Sequence, residues 1–322
     1  MADTIERGSA IDSATMRAWR IHRFGGTDAF QADTLPVPQP GQGAIRVRIR
    51  ATSVNPVDYK LRSGAAPFLS EDDLPAILGR DVAGEVLEVA PGVGGVDVGD
   101  RVYGMPQFPR GSYAEQVVLE PGEWARAPKS VPIETAGAVP LAALTAWQGL
   151  FDQGGLKEGQ RVLIHGGSGG VGHFAVQFAV AAGAEVFATA SGEHCDFVRE
   201  LGADRAIDYK AERFEEIVRD ADLVFDVVGG ETQQRSWAVL ADGGILVSTL
   251  GEPARGVPEA EGKRGAGYMA QPDSAQLRRI ADMIDAGAVR VHVAQSFALD
   301  DIAAAQQAAE KKDFVGKIAV TV

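Results

Sequence analysis

The chain has 322 residues, 45% hydrophobic and 23% charged, the balance of a globular protein long enough for about two domains. Its 44 acidic against 31 basic residues leave a net charge of −13, which repels polyanions and excludes nucleic acid as an expected partner. A single cysteine, Cys195, permits neither an internal disulfide nor a cysteine-rich zinc lobe, so a reducing, cytoplasmic location is expected.

Residues 1 to 15 carry acids and no apolar core, so they read as a disordered extension rather than a signal or transit peptide. From Met16 to about Pro140 the chain is made of short β-like runs: RAWRIHRF, IRVRIRATSV, VAGEVLEVA, DRVYGM and SYAEQVVL. Gly and Pro clusters separate them, and the alternation in IRVRIR is the period of a half-exposed strand, which predicts a small β-barrel or curled sheet. Near Val139 the character changes. PLAALTAWQGLFDQ reads as a helix, and then RVLIHG, VGHFAVQFAVAAG, EVFATAS, HCDFVRELGA, RAIDY, RFEEIVRD and LVFDVVGG alternate strand with helix. That rhythm predicts a doubly wound parallel α/β sheet. The last segments, SAQLRRIADMIDAG, VRVHVAQSF, LDDIAAAQQAAEKK and KIAVTV, either extend that sheet or return to the first half; periodicity does not decide. The longest apolar stretch, His173 to Ala190, is interrupted by Gly183 and Glu185, so no membrane span is predicted.

RVLIHGGSGGVGHFAVQFA runs an apolar strand into the turn Gly167-Ser168-Gly169-Gly170-Val171-Gly172 and on into a helix. In such a turn Gly167 permits the tight bend, Gly169 lets backbone N–H groups approach a pyrophosphate, and Gly172 packs helix on sheet. A bare GxGxxG is weak evidence; the strand-turn-helix context makes it a dinucleotide site. About twenty residues further on, an NAD-specific site carries a carboxylate for the ribose 2′-hydroxyl, and here Ser191 stands instead. NADPH is therefore the expected cofactor, with His194 a candidate donor to the 2′-phosphate.

From Met16 onward the chain resembles the medium-chain dehydrogenase/reductase superfamily, in its zinc-independent quinone oxidoreductase and alkenal reductase branch. ATSVNPVDYKLRSG, LGRDVAGEV, GDRVYG, PLAALTAWQGL, HGGSGGVG, LGADRAIDY, FDVVGG and FVGKIAV carry the resemblance, in the family's order. It implies a Rossmann NADP-binding domain (140–267) inserted into a GroES-like β-barrel domain (16–139 and 268–322), to which the carboxyl-terminal segment returns. It also implies a homodimer acting on a small-molecule quinone or α,β-unsaturated carbonyl. The ligand positions of zinc-dependent relatives fall on Asn55, Arg80 and near Leu141, which cannot assemble a zinc site. Metal-free hydride transfer is the expectation. Lys60 is the position that similar enzymes place beside the nicotinamide ribose and substrate, and Asn55 and Tyr59 are lesser catalytic candidates.

The same resemblance brings Thr145 and Trp147 to the nicotinamide end and Tyr209 to the adenosine phosphate. Ser248, Thr249, Leu250 and Gly251 would support the nicotinamide; Tyr268, Met269, Ala270 and Lys312 match further cofactor-lining positions. Arg80 and Asp81 read as a buried structural pair or as groups at the vacated metal position. A protein of this fold that binds NADPH as a non-catalytic redox sensor or scaffold is the alternative, since fold does not prove turnover.

Overall fold

The computed structural model describes residues 14–254, 256 and 260–322, so all but the last two residues of the expected amino-terminal extension lie outside the described residues. The first half supplies strands β1 (Thr15–Ile21), β2 (Phe30–Pro36) and β3 (Ile45–Val54), then helix α1 (Pro56–Arg62). Strands β4 (Ala76–Ile77), β5 (Val82–Val89), β6 (Arg101–Gly104), β7 (Gln116–Leu119) and β8 (Trp124–Arg126) follow. Alternating apolar residues of β3 and β5 meet in one core with Val102, Val117 and Leu119, which is the burial that the IRVRIR alternation anticipates.

After α2 (Ile133–Ala136) and α3 (Pro140–Trp147), the α/β unit comprises β9 (Arg161–Ile164), α4 (Gly172–Ala181), β10 (Glu185–Ala190), α5 (Cys195–Glu200) and β11 (Arg205–Asp208). It continues with α6 (Phe214–Ile217), β12 (Ala221–Asp226), α7 (Gly230–Ser236), β13 (Leu240–Ser248) and β14 (Arg264–Gly267). These strands are all parallel, in the order β11-β10-β9-β12-β13-β14. The order reverses between β9 and β12, so a crevice opens above their carboxyl ends, the place where doubly wound sheets hold nucleotides.

The chain closes with α8 (Ser274–Asp285), β15 (Val293–Ala298), α9 (Ile302–Lys311) and β16 (Lys317–Thr321). β16 pairs antiparallel with β3 and parallel with β15, so the last strands rejoin the first half in a seven-stranded sheet. α8 does otherwise: Leu277, Ile280 and Ile284 enter the core shared by α3 and α4. Two expectations need adjustment. The helix PLAALTAWQGLFDQ changes at Gln148 to a wider turn, with Gly154 N–H donating to Gly149 C=O at 3.0 Å, and the strand expected from VRVHVAQSF begins only at Val293.

Candidate active site

β9 ends at the crevice, and the chain must reverse there to start α4. Gly166 takes the left-handed conformation (φ 74°) that makes this turn; the reading that gave the tight bend to Gly167 is off by one residue. Gly167 serves packing instead, since a Cβ there would lie 2.8 Å from Cβ of Ala188. A Cβ on Gly172 would overlap the Gly166 carbonyl oxygen, so α4 can start directly over the turn only with glycine. A Cβ on Gly169 would meet only that same oxygen, at 3.4 Å, which leaves its other side open to a ligand. Among the described residues no side chain caps α4; His173 N–H is bonded to Gly169 C=O (2.9 Å), and the positive end of the helix dipole faces the turn, where it favours an anion. The cradle fits a dinucleotide pyrophosphate. His165 below it is fully buried between Thr189 Oγ1 (3.2 Å) and Ser236 Oγ (2.8 Å), and burial pushes its pKa down to about 4. It is a neutral packing residue.

At the next strand end, Ser191 follows β10 and its Oγ lies 3.0 Å from Nδ1 of His194. Neighbouring β11 delivers Tyr209, which is 59% exposed, beside them, because Ala190 is in register with Asp208. Lys210 then stands with Nζ 5.9 Å from the Tyr209 ring centroid and 3.9 Å from Glu193. A cation near the ribose-reading position is thus present, on the segment that follows β11. Two acids, Glu193 and Asp208, share the neighbourhood.

Towards the middle of the crevice, Ser248 Oγ donates to the buried Asp226 carboxylate (3.3 Å) and accepts from Leu250 N–H (3.1 Å), shaping the Ser248–Gly251 turn. Thr249 N–H donates to Asp226 C=O at 3.2 Å, and Gly251 has φ 101°. Leu250 and Met269 are about half exposed there, as is Val228 just beyond β12, a residue of the FDVVGG run that was given no site role. Tyr268 hydroxyl donates to Thr145 C=O, tying the segment after β14 to α3, while Thr145 Oγ1 donates to Leu141 C=O at 2.6 Å. Trp147 is spent on packing: its ring centroid lies 4.6 Å from that of Phe151 and 5.3 Å from that of Phe178, with the Arg279 guanidinium 5.1 Å away. Ala270 is buried, and Lys312 is an exposed left-handed cap of α9.

Below the crevice a buried polar cluster gathers Asn55 and the Leu141 peptide, two of the positions compared above with zinc ligands, around Asp81. Asp81 accepts from Asn55 Nδ2 (2.7 Å), Leu141 N–H (2.6 Å) and Ser53 Oγ. Lys317 Nζ donates to Asn55 Oδ1 and stands 3.7 Å from Asp81. Both ends of the Asn55 amide are therefore engaged, and Asp81 is tied to these groups rather than to Arg80. Lys317 lies in the FVGKIAV run, to which the sequence assigned no site role; burial lowers its pKa, opposed by Asp81 and Asp58. Its stem also lies under Gly170, and Gly316 N–H donates to Ser168 C=O at 2.8 Å, so the cluster joins directly to the glycine turn. These donors do not fit zinc: one carboxylate with its oxygens already occupied, an amide, an ammonium and a peptide N–H offer no thiolate or imidazole. Of the α1 candidates, Lys60 is exposed and Tyr59 half-buried.

Asp58 caps α1 by accepting from Asn55 N–H (2.7 Å) and from the Tyr113 hydroxyl (3.0 Å). Burial pushes its pKa up to about 7, helped by Asp81 and opposed by those hydrogen bonds and Lys317. Because the folded value exceeds the unfolded one of about 3.9, stability from this group is greatest below pH 4 and is lost as pH rises to 7, by about 4 kcal/mol at most. Asp58→Asn should remove that slope. Denaturant midpoints at pH 5 and 8 should fall less for the variant than for wild type; parallel falls would show that Asp58 does not titrate there.

Two family models match the chain: an alcohol dehydrogenase GroES-like domain over residues 41–129 and a zinc-binding dehydrogenase over residues 201–320. A mitochondrial NAD(P)H oxidoreductase, RTN4IP1 of Danio rerio, is 32% identical over 98% of this chain and 93% of its own length. A 2-methylene-furan-3-one reductase of Solanum lycopersicum is 32% identical over 95% and 79% respectively. Among solved structures, the quinone oxidoreductase from Coxiella burnetii superposes with a TM-score of 0.89 at 32% identity, covering 96% of this chain and 99% of that one. The Escherichia coli quinone oxidoreductase in complex with NADPH gives 0.85 at 26% identity, covering 95% and 100%. With the strand order, the glycine turn and the GroES-like half in agreement, the chain belongs to the medium-chain dehydrogenase/reductase superfamily, in the branch of the quinone oxidoreductases and alkenal reductases.

Proposed function

We propose that the protein is an NADPH-dependent, zinc-independent reductase of quinones or α,β-unsaturated carbonyl compounds. The observation that carries this reading is the buried Asn55–Asp81–Lys317 cluster, set against the glycine turn where a metal would otherwise be ligated. NADPH, when bound, supplies the hydride. The turn and α4 hold its pyrophosphate; Ser191, His194, Tyr209 and Lys210 receive the adenosine phosphate; the Ser248–Gly251 turn supports the nicotinamide. Lys60, on the exposed side of α1, donates to the ribose or to the substrate oxygen.

Without a Lewis acid to hold an alkoxide, a simple alcohol is a poor substrate. A quinone or enone spreads the arriving charge onto a conjugated oxygen, which hydrogen-bond donors can stabilise. The same reading divides the chain into a substrate domain (16–139 and 268–322) and an NADP-binding domain (140–267), in a cytoplasmic homodimer. Support for the division comes from β16 joining β3, and for the dimer from β14, which forms an edge of its sheet. Steady-state NADPH oxidation with a simple quinone and a simple enone tests the activity. Exhaustive chelation should leave that rate unchanged and metal analysis should find no stoichiometric zinc; one zinc per chain, with activity lost on its removal, rejects the reading.

A further inference from the structure

The charged residues around the buried cluster are almost all occupied. Asp81 and Lys317 bond to each other's partners, Asp58 to Asn55 and Tyr113, and Glu123 to Arg110 (2.5 Å) and Gln107 N–H (3.0 Å). Arg110 also reaches Glu120 at 3.3 Å. Arg80 is different. It is half-buried, yet among the described residues its guanidinium has no hydrogen-bond or ion-pair partner; its contact is with the face of Phe108, 4.5 Å from the ring centroid. Burial lowers its pKa, with Asp58, Asp81 and Glu123 acting in the other direction.

The backbone fixes where this side chain leaves. Gly79 has φ 93°, and a Cβ there would lie 2.7 Å from the Tyr113 ring, so the LGRD turn is pressed against residues 112–113. The Arg80 side chain then runs to the loop that carries Gln107 and Phe108. That loop faces the crevice: Gln107 Nε2 reaches Gln271 Oε1 at 3.4 Å, and Gln148 Nε2 holds Gln271 C=O at 2.7 Å, next to exposed Met269. A guanidinium stays charged, presents a planar fork suited to two oxygens, and when half-desolvated gains by meeting an anion. An aromatic face beside it suits a flat, conjugated molecule.

We propose that Arg80 binds the substrate's oxygens, with Lys60 then left to the ribose, and that it favours planar conjugated substrates presenting two neighbouring oxygens, an ortho-quinone or an enone bearing a carboxylate, over isolated ketones. This rests on the reductase reading above. With either substrate, hydride from the cofactor adds to the carbon β to the carbonyl and the C=C electron pair moves to the carbonyl oxygen, which Arg80 stabilises without giving up a proton. Water protonates the resulting enolate, giving the saturated carbonyl compound from an enone and, after tautomerisation, the catechol from an ortho-quinone.

The test uses benzoate, a flat ring with a paired-oxygen anion, titrated by calorimetry into the NADP⁺-saturated protein. Wild type should bind it, Arg80→Met should bind at least about tenfold more weakly, and Arg80→Lys, which keeps charge but not the fork, should recover only part of the loss. NADPH affinity, read by fluorescence, should stay within about twofold in both variants, showing an intact crevice. In turnover, Arg80→Met should lower kcat/KM for an ortho-quinone at least about tenfold more than for an unsubstituted para-quinone. No benzoate binding by wild type, or equal binding by Arg80→Met, overturns the proposal. A wild type that binds benzoate through Arg80 but oxidises no NADPH with either quinone overturns the reductase reading and leaves the oxygen-binding role established.

Discussion

Gly172→Ala should cost the protein both stability and cofactor. The new Cβ overlaps the Gly166 carbonyl oxygen, a backbone atom that cannot swing aside, so the turn and the start of α4 must separate. Forced overpacking of this kind costs about 1–3 kcal/mol, and the N–H groups aimed at the pyrophosphate move with the helix. A fall of about 10²-fold in NADPH affinity is expected, with a lowered melting temperature. Gly169→Ala is the control: its Cβ meets only one protein atom, at 3.4 Å, so the fold should tolerate it while the phosphate approach is obstructed. Thermal melts and NADPH titrations of both variants separate packing from binding. Equal melting temperatures for the two would mean that the turn accommodates the new Cβ, and wild-type affinity in Gly172→Ala would mean that the cofactor does not sit on this turn.

Ser191→Asp should reverse the cofactor preference. Wild type is expected to bind NADPH more tightly than NADH, because the Ser191 hydroxyl, held 3.0 Å from His194, presents no charge to a 2′-phosphate and Lys210 stands nearby. A carboxylate about 4 Å from a phosphate at an effective dielectric of about 20 costs about 4 kcal/mol per charge pair before screening. Ser191 itself is buried, but Glu193 and Tyr209 beside it are exposed, and water and salt there reduce that to about 2 kcal/mol, roughly thirtyfold. The carboxylate also gains the ribose hydroxyls of NADH. Fluorescence titration with both cofactors checks it; an unchanged ratio would mean that the 2′-phosphate lies elsewhere.

What was legible in the sequence followed local rules. The strand-turn-helix around Gly172 and the placement of Ser191 at the end of β10 depend on residues adjacent in the chain, and the structure shows them so. Gly166 escaped because GGSGG offers consecutive glycines and only the backbone angle tells which one turns. Lys210 and Lys317 escaped for another reason: each reaches its place across strands. Lys210 meets Glu193 because β11 lies beside β10, and Lys317 meets Asn55 because β16 lies beside β3, 262 residues apart in the chain. The return of the last strands was equally beyond periodicity and came from family resemblance. Trp147 shows the opposite limit: LTAW suggested a nicotinamide neighbour, but the indole is consumed by Phe151 and Phe178.

The central claim is that this crevice brings hydride from NADPH to a conjugated acceptor. The direct measurement is to incubate the protein with NADPH carrying deuterium at C4 on one face or the other, together with a simple enone, and to locate the label in the product by NMR. The reading predicts that one of the two labelled forms delivers a single deuterium to the β-carbon of the saturated ketone, in step with NADPH oxidation. NADPH that binds tightly yet transfers no label, to this enone or to a quinone, would contradict it and leave a nucleotide-binding sensor or scaffold.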